Sequence, residues 1–356
     1  MLPERIINGH PSCGCPCFII PAKVLRKFSH DKRLSAATRK AFADTARFEN
    51  EWRKAREVKS LVSMSAQKML PSALAASVTP PATPVFDCQH HNTLPGVSIS
   101  SPGSSSDQTC KRAFTETKAV AKFYRSVFSR NSIDDAGMAL ISSIHYSVNY
   151  NNAFWNGSQM TYGDGDGNIF IDFTKGNDVI GHELTHGVTQ YTLGLTYQNQ
   201  PGGLNESISD VFGSMFRQWQ AKQNVHQADW LIGKDIMGPA AVARGFTCLR
   251  DMSNPAAAHC LAPQPTKFSQ YHNGMDPHDS SGIPNFAFYK AAMAIGGKSW
   301  LVAGKIWFQA LTKFGPSPNM TMKQFAIRTR KLAGTLFTSR PAVKQAVDDA
   351  WKAVGL

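Results

Sequence analysis

Two histidines four residues apart, with a glutamate beside the first, stand in the run Val179-Ile180-Gly181-His182-Glu183-Leu184-Thr185-His186-Gly187-Val188. A helix turns about 100° per residue, which puts His182 and His186 one turn apart on one face, where both imidazoles reach a single cation. Neutral imidazole is a good zinc ligand, and a carboxylate next to the first ligand can take a proton from polarised water without entering the coordination sphere. That is the chemistry Glu183 is placed to do. A catalytic zinc keeps one position open and needs one more protein ligand. The run Gly203-Leu204-Asn205-Glu206-Ser207-Ile208-Ser209-Asp210 supplies Glu206 for it. Asp210, four residues on, falls on the same face of a helix, where it can accept the second ring N–H of a liganding histidine and fix its tautomer.

His-Glu-x-x-His is the arrangement of zinc peptidases. The stretch from Tyr150 to Gly213, YNNAFWNGSQMTYGDGDG and then GHELTHGVTQYTLGLTYQNQPGGLNESISDVFG, resembles the thermolysin family of zinc endopeptidases, and the short N-terminal extension is similar to that of its protealysin-like branch. The resemblance implies an α+β fold of two domains, a β-rich N-terminal half and a helical C-terminal half with the zinc helix between them, preceded by a short propeptide. It implies a neutral endopeptidase made as a zymogen, with Zn2+ on His182, His186 and Glu206 and with Glu183 as general base. The family's oxyanion donors, a tyrosine and a histidine, map onto Tyr197 in GLTYQN and His278 in DPHDSSGIPN. The family has Asp-Asn-Gly-Gly-Val before that histidine, whereas this chain reads Asn273-Gly274-Met275-Asp276-Pro277, which leaves Asp276 as the candidate to orient it. Asn205 joins Asp210 and Asp276 among the supporting residues.

For substrate, the same resemblance implies that Asn152 and Ala153 form an edge strand that pairs with an extended peptide, and that Arg250 binds the carbonyl beside the scissile bond. Phe170, Phe173, Val179, Ile232 and Leu249 fall where the family lines an apolar pocket, which implies cleavage on the N-terminal side of large hydrophobic residues; any one of the five fits plain core nearly as well. The family's paired calcium site is expected to be lost. Asp178 and Asp229 survive from it, but Arg217, Leu231 and Lys234 occupy other ligand positions, and two divalent cations cannot be held where carboxylates have become cations. Arg217 or Lys234 is expected to pair with Asp178, and at most one Ca2+ is expected elsewhere.

The rest of the chain must position these groups. Its 356 residues, 42% hydrophobic, suffice for two packed domains and an accessory segment. No run approaches the length of a spanning helix. Met1 to His10 contains Glu4, Arg5 and Asn8 and lacks a signal-peptide pattern, so the expected location is cytoplasmic, or outside by a non-standard route. The net charge of +13 is concentrated at the start: residues 1–60 hold 13 Lys/Arg against 6 Asp/Glu, and the remainder 25 against 19. That distribution favours a charged removable segment over a nucleic-acid-binding face. The expected partners are peptide or protein substrates and the chain's own propeptide as an intramolecular inhibitor, in a monomer, with no nucleic acid and no membrane.

Residues 1–60 form the propeptide-like segment, with one or two amphipathic helices too small to hold a core alone. Its Ile19-Ile20-Pro21-Ala22-Lys23-Val24-Leu25 is similar to the short propeptide motif of the protealysin-like branch, with Ala22 where a second proline is usual. Residues 61–84, rich in Ala, Ser and Pro, are the expected linker and maturation site. The β-rich catalytic domain is expected over 85–195, with strands at Val85–Asp87, Val97–Ile99, Ile141–Tyr146 and Ile169–Phe173, a helix over Thr115–Phe128 and a tight hairpin-type turn at Gly163–Gly167. The helical domain is expected over 196–356, with helices at Asn205–Gln220, Asn285–Ala294, Ser299–Phe314, Met322–Leu336 and Ala342–Val354. Cys88 with Cys110 and Cys248 with Cys260 could close disulfides, and free thiols fit equally well; Cys13, Cys15 and Cys17 have ligand chemistry for zinc or copper at a non-standard spacing.

Overall fold

The structure, a computed structural model, describes residues 17–63 and 79–356. Cys13 and Cys15, and residues 64–78 of the expected linker with its maturation site, lie outside the described residues. In chain order, the first elements are strand β1 (Cys17–Phe18) and helices α1 (Ala22–Ser29) and α2 (Ala36–Ser63). Helix α1 buries Val24, Leu25 and Phe28. Helix α2 starts where the Ser35 hydroxyl accepts the Thr38 N–H at 3.0 Å, occupying one of the donors a helix start leaves unpaired.

Strands β2 (Val85–Asp87), β3 (Val97–Ser98), β4 (Ser142–Ile144), β5 (Ala153–Trp155) and β6 (Met160–Tyr162) follow, with α3 (Gln108–Phe128) between β3 and β4. The sheet runs β1-β5-β6-β4-β2-β3. Its centre is parallel, β2 with β4 and β4 with β6, while β5 returns antiparallel beside β6. Helix α3 begins earlier than its apolar pattern suggests because Asp107 caps it, accepting from the Thr109 N–H.

The expected strand over Ile169–Phe173 is absent. The Asp166 carboxylate accepts the N–H groups of Ile169 and Phe170 at 3.0 and 3.1 Å, an Asx-type bond that competes with a ladder. Phe170 then makes a single bridge to Met237, and the chain tightens into a 3-10 turn at Phe173–Lys175. Gly163–Gly167 consequently does not join two strands as a hairpin. It folds back on the 150s, with the Gly165 N–H on Tyr150 O at 3.1 Å, and Gly165 takes a φ of +72° that a side chain would disfavour.

Helices α4 (Asn177–Gln190) and α5 (Asn199–Gln220) carry the chemistry. They are pressed together: a Cβ at Gly213 would lie 2.5 Å from Asp178 O and 3.1 Å from His182 N, and one at Gly181 would lie 3.1 Å from the Gly213 Cα. Glycine at both positions lets the backbones close to a distance at which a carboxylate on α5 spans both imidazoles of α4. Strands β7 (Leu231–Ile232) and β8 (Arg250–Asp251) form a small ribbon, with the short helix α6 (Pro239–Val242) between them. The one-turn helix α7 (Pro277–Ser280) then precedes α8 (Gly282–Ile295), α9 (Ala303–Thr312), α10 (Met322–Leu336) and α11 (Pro341–Ala353).

Among the described residues, the N-terminal unit shares its apolar cluster with the rest of the chain. Ile19, Ile20, Val24, Leu25, Phe28, Leu34 and Phe42 join the main apolar cluster, and the Phe42 ring lies 6.0 Å from that of Phe170. Burial worth about 1.5–3 kcal/mol per large aliphatic or aromatic side chain makes this contact the main adhesive. Polar anchors add direction: Arg244 to Asp31 at 2.9 Å, Lys23 to Asp279, and the Asn151 N–H to the Thr45 hydroxyl at 3.1 Å. Cys88, Cys110, Cys248 and Cys260 are not joined in disulfides with one another; Cys88 and Cys110 face different backbone carbonyls, while the sulfurs of Cys248 and Cys260 lie 3.9 Å apart. Among the described residues no helix is long and apolar enough to cross a membrane.

Candidate active site

On α4, His182 and His186 present their Nε2 atoms 3.0 Å apart. Each ring is fixed from behind, His182 Nδ1 on Asp210 Oδ1 at 2.8 Å and His186 Nδ1 on Asn205 Oδ1 at 2.8 Å. Because both Nδ1 atoms donate, both Nε2 atoms are left to offer lone pairs toward the same point. Glu206 on α5 closes the set, with its oxygens 3.4 Å from His182 Nε2 and 3.5 Å from His186 Nε2. All three side chains are fully or almost fully buried, and Glu206 Oε2 has no hydrogen-bond donor. Two imidazole lone pairs and an unsatisfied buried carboxylate oxygen converging on one point require a cation. The donor set of two nitrogens and one oxygen, fixed by outer hydrogen bonds, suits zinc.

Asp210 serves two further groups. Its oxygens also accept from Arg250 Nε and Nη2 at 2.8 and 2.7 Å and from Asn285 Nδ2 at 2.8 Å. Burial works against its ionisation, but Arg250 and His182 outweigh that and hold it down to about 2. Burial also opposes charge on His182, yet Asp210 and Glu206 raise it to about 9 in the absence of a metal. Burial together with the neighbouring His182 brings His186 down to about 3, although Glu206 pulls the other way. Glu206 ionises well below the usual range despite burial, through His278, His186 and His182.

Glu183 sits beside the cluster, fully buried, with Oε2 accepting the Trp155 N–H at 2.9 Å and Oε1 without a partner. Burial pushes its pKa well above the usual carboxylate value, a shift that makes it a stronger base than a solvated glutamate. Tyr197 donates its hydroxyl to Glu206 and lies 3.4 Å from His278 Nε2. His278 Nδ1 rests on Asp276 Oδ1 at 2.8 Å, and the same carboxylate caps α7 by accepting the His278 N–H at 2.9 Å. His278 is raised by Glu206 and Asp276 against the opposing effect of burial.

The cleft beside these groups is filled by the chain's own residues 17–20. Strand β1 pairs antiparallel with β5, Cys17 opposite Trp155 and Phe18 opposite Phe154. The Ile19 N–H donates to Ala153 O at 3.2 Å, Arg250 Nη1 donates to Ile19 O at 3.1 Å, and Asn152 holds the Ile20 N–H at 2.9 Å and the Ile20 carbonyl at 3.3 Å. His278 Nε2 meets Phe18 O at 2.5 Å. Asn152 is in turn held by Glu49 of α2.

The structure thus gathers His182, His186, Glu206, Glu183, Tyr197, His278, Asp210, Asn205, Asp276, Asn152, Ala153 and Arg250 around one cleft. Phe170, Phe173, Val179, Ile232 and Leu249 are fully buried in the same apolar cluster as Ile19 and Ile20. Sequence reasoning passed over Asn285 and the Trp155 N–H, although both lie in motifs it used, SGIPN and NNAFW. At the expected calcium position, Arg217 lies 3.7 Å from Asp178, 3.4 Å from Asp229 and 3.3 Å from Asp235, and Lys234 lies 3.3 Å from Asp229.

Comparison with known proteins gives a consistent picture. Residues 85–190 match the family described as thermolysin metallopeptidase, catalytic domain, and residues 193–356 match thermolysin metallopeptidase, alpha-helical domain. An extracellular metalloprotease of Pectobacterium carotovorum subsp. carotovorum is 40% identical over 283 residues, 76% of this chain and 80% of that protein. Protease PrtS of Photorhabdus sp. (strain Az29) is 39% identical over 285 residues, 76% of each. Among solved structures, the precursor of protealysin, a metalloproteinase from Serratia proteamaculans, superposes with a TM-score of 0.80 at 34% identity, covering 95% of this chain and 99% of that one.

Proposed function

The chain belongs to the thermolysin family of metallopeptidases, enzymes that hydrolyse peptide bonds, and from that premise we propose that it is a zinc endopeptidase precursor whose residues 17–20 occupy its own substrate cleft. His182, His186 and Glu206 would hold a zinc ion, which when bound would act as a Lewis acid and bring the pKa of water towards neutrality. Glu183 takes the proton of the attacking water and returns it to the leaving nitrogen. Its free Oε1 is available for this while the Trp155 N–H fixes Oε2. His278 and Tyr197 donate to the oxygen on which negative charge grows, and Asp276 holds the His278 ring in the donating tautomer. Arg250 and Asn152 bind the backbone carbonyls and amide on the leaving side, and Ala153 O receives the N–H of the scissile bond.

The observation that carries this reading is the set of contacts made by residues 18–20. A carbonyl faces His278, and the next three polar backbone groups meet Ala153, Arg250 and Asn152 in turn, as an extended substrate would. The residue after that carbonyl is Ile19, fully buried in apolar surroundings, which supports cleavage on the N-terminal side of large hydrophobic residues. Arg217 among three carboxylates supports loss of the paired calcium site, one guanidinium standing where the divalent ions would sit. The test is hydrolysis of casein or a hydrophobic peptide by the processed chain. Hydrolysis that a chelator abolishes, that zinc restores, and that Glu183→Ala loses while retaining bound zinc supports the proposal; a Glu183→Ala chain with undiminished turnover refutes it.

A further inference from the structure

We infer that the bond between Phe18 and Ile19 is a processing site: the precursor hydrolyses its own inhibitory strand there, in cis, with the strand bound as a substrate rather than as a plug. The inference rests on the peptidase reading above and goes beyond it. A segment that only obstructs a cleft can do so in either direction and in any register. This one is fixed in both respects. Strand β1 is antiparallel to β5, with Phe18 opposite Phe154. A slip of one residue would turn every side chain to the opposite face and take Phe18 out of its cluster with Tyr146, Tyr150 and Phe154 and Ile19 out of the main apolar cluster.

In this register a single peptide bond sits among the groups that hydrolysis would use. Its carbonyl oxygen, on Phe18, lies 2.5 Å from His278 Nε2. Its nitrogen, on Ile19, points its hydrogen at Ala153 O at 3.2 Å, which holds the nitrogen in place as it becomes an amine. The next carbonyl is held by Arg250 at 3.1 Å and the next amide by Asn152 at 2.9 Å, so the leaving side is anchored in two further places. Glu183 keeps one buried oxygen without a partner beside this arrangement. Groups held this close to reacting geometry within one molecule react with a large effective concentration.

The step balances with water alone. The water oxygen bonds to the Phe18 carbonyl carbon, the bond from that carbon to the Ile19 nitrogen breaks, and Glu183 passes the water proton to the nitrogen. The products are a fragment ending in a Phe18 carboxylate and a chain beginning at the Ile19 amine. Residues from Ile19 onward keep their bonds to Asn152 and Arg250 and the ion pairs of Lys23 and Asp31. The cut therefore leaves a product still seated on the leaving side of the cleft, and clearing it requires separation of the α1–α2 unit as well.

The test uses the full chain, purified metal-free, loaded with zinc and sampled by intact mass and N-terminal sequencing at several protein concentrations. The expected result is a fragment ending at Phe18 and a new terminus at Ile19, formed at a rate independent of concentration. Ile19→Ala should slow it at least about 10-fold through poorer filling of the apolar site, Ile19→Leu should restore it, and Glu183→Gln should abolish it. In the uncut Glu183→Gln chain the Ile19 and Ile20 amides should be protected from hydrogen exchange. Free exchange at both amides, or a rate proportional to protein concentration, overturns the inference. So does an intact Phe18–Ile19 bond in a chain that hydrolyses added peptide, an outcome that leaves the peptidase reading standing. A zinc-loaded chain that leaves its own Phe18–Ile19 bond intact and, with the α1–α2 unit separated, also cuts no added peptide removes both.

Discussion

Replacing Asp210 by asparagine changes one atom and should cost the protein both zinc and stability. The two carboxylate oxygens accept four bonds, from His182 Nδ1 and Arg250 Nη2 on one and from Arg250 Nε and Asn285 Nδ2 on the other, at 2.7 to 2.8 Å. Asparagine offers one accepting oxygen, so two of the four donors meet an NH2 group instead. Arg250 and Asp210 are both inaccessible to water, so nothing replaces the lost partners. Bonds to charged groups contribute about 1.5–3 kcal/mol each, and breaking a buried ion pair costs about 3–5 kcal/mol, so a loss of about 4 kcal/mol is expected. The NH2 group can also donate to His182 Nδ1, which would move the ring proton to Nε2 and remove its lone pair from the metal. Loss of such an outer partner weakens metal binding by about 10–100-fold. Chelator competition on the full chain measures zinc affinity, and denaturant unfolding with and without zinc measures stability. An Asp210→Asn chain that binds zinc within a factor of about two of the parent and unfolds at the same denaturant concentration refutes the reasoning.

Three further outcomes follow. Glu183→Gln should lower kcat for peptide hydrolysis by about 10²–10⁴-fold or more while zinc content, measured by elemental analysis, stays at one per chain. His145, held between Asp164 and Asp107 at 2.9 Å on each side and raised to about 9 chiefly by Asp164, should give the folded state a pH-dependent term. Its folded pKa lies above the unfolded value, so the contribution is full below about pH 6.5 and lost as pH rises through about 9, an amount of about 2 kcal/mol that His145→Gln should remove from the pH profile of unfolding. Around Asp178 and Arg217, where the paired calcium site is proposed to be lost, adding or chelating calcium with zinc held constant should leave the thermal midpoint unmoved. Arg217→Ala should destabilise by about 2–3 kcal/mol, less than a stranded charge would cost, because Asp178 can take up a proton.

The cluster of His182, His186 and Glu206 was legible because the three lie on two helices, where a fixed turn per residue converts spacing into direction. His182 with His186, and Glu206 with Asp210, could each be placed on one face from sequence alone. Asp276 was expected only as the carboxylate left near His278 where the chain departs from the family pattern; in the structure the same oxygen caps α7 and meets the His278 ring. What escaped depends on non-local packing. Strand β6 is three residues long and flanked by glycine turns, too short for a period of two to stand out. The Ile169–Phe173 run has the composition of a strand, yet the Asp166 carboxylate takes the amides a neighbouring strand would have used. The closeness of α4 and α5 rests on Gly181 and Gly213, and a lone glycine in a helical pattern does not announce which backbone it must admit. The occupant of the cleft was foreseen as a propeptide, but its register was not, because it is set by bonds between residues more than 100 apart in sequence.

In the function proposed above, inhibition and catalysis share their contacts, and that sharing would constrain how the precursor is switched on. Asn152, Ala153, Arg250 and His278 are the groups that hold residues 18–20, and they are also the groups proposed to hold substrate. Weakening any of them releases the propeptide and disables the enzyme together. Release of the rest of the propeptide would then depend on contacts outside the shared set: the Phe42 ring against Phe170, the Thr45 hydroxyl on the Asn151 N–H, the Arg244 to Asp31 pair and the Lys23 to Asp279 pair. These lie along α1 and α2 rather than in strand β1, and they multiply the hold of a short strand by keeping it at high local concentration. Thr45→Val, which removes a hydroxyl buried to 1% and its bond to the strand loop, should shorten the lag before peptidase activity appears while leaving the kcat of the processed enzyme unchanged. A shift in kcat with no change in lag would show that α2 supports the mature site itself, and the separation of holding from catalysis would fail.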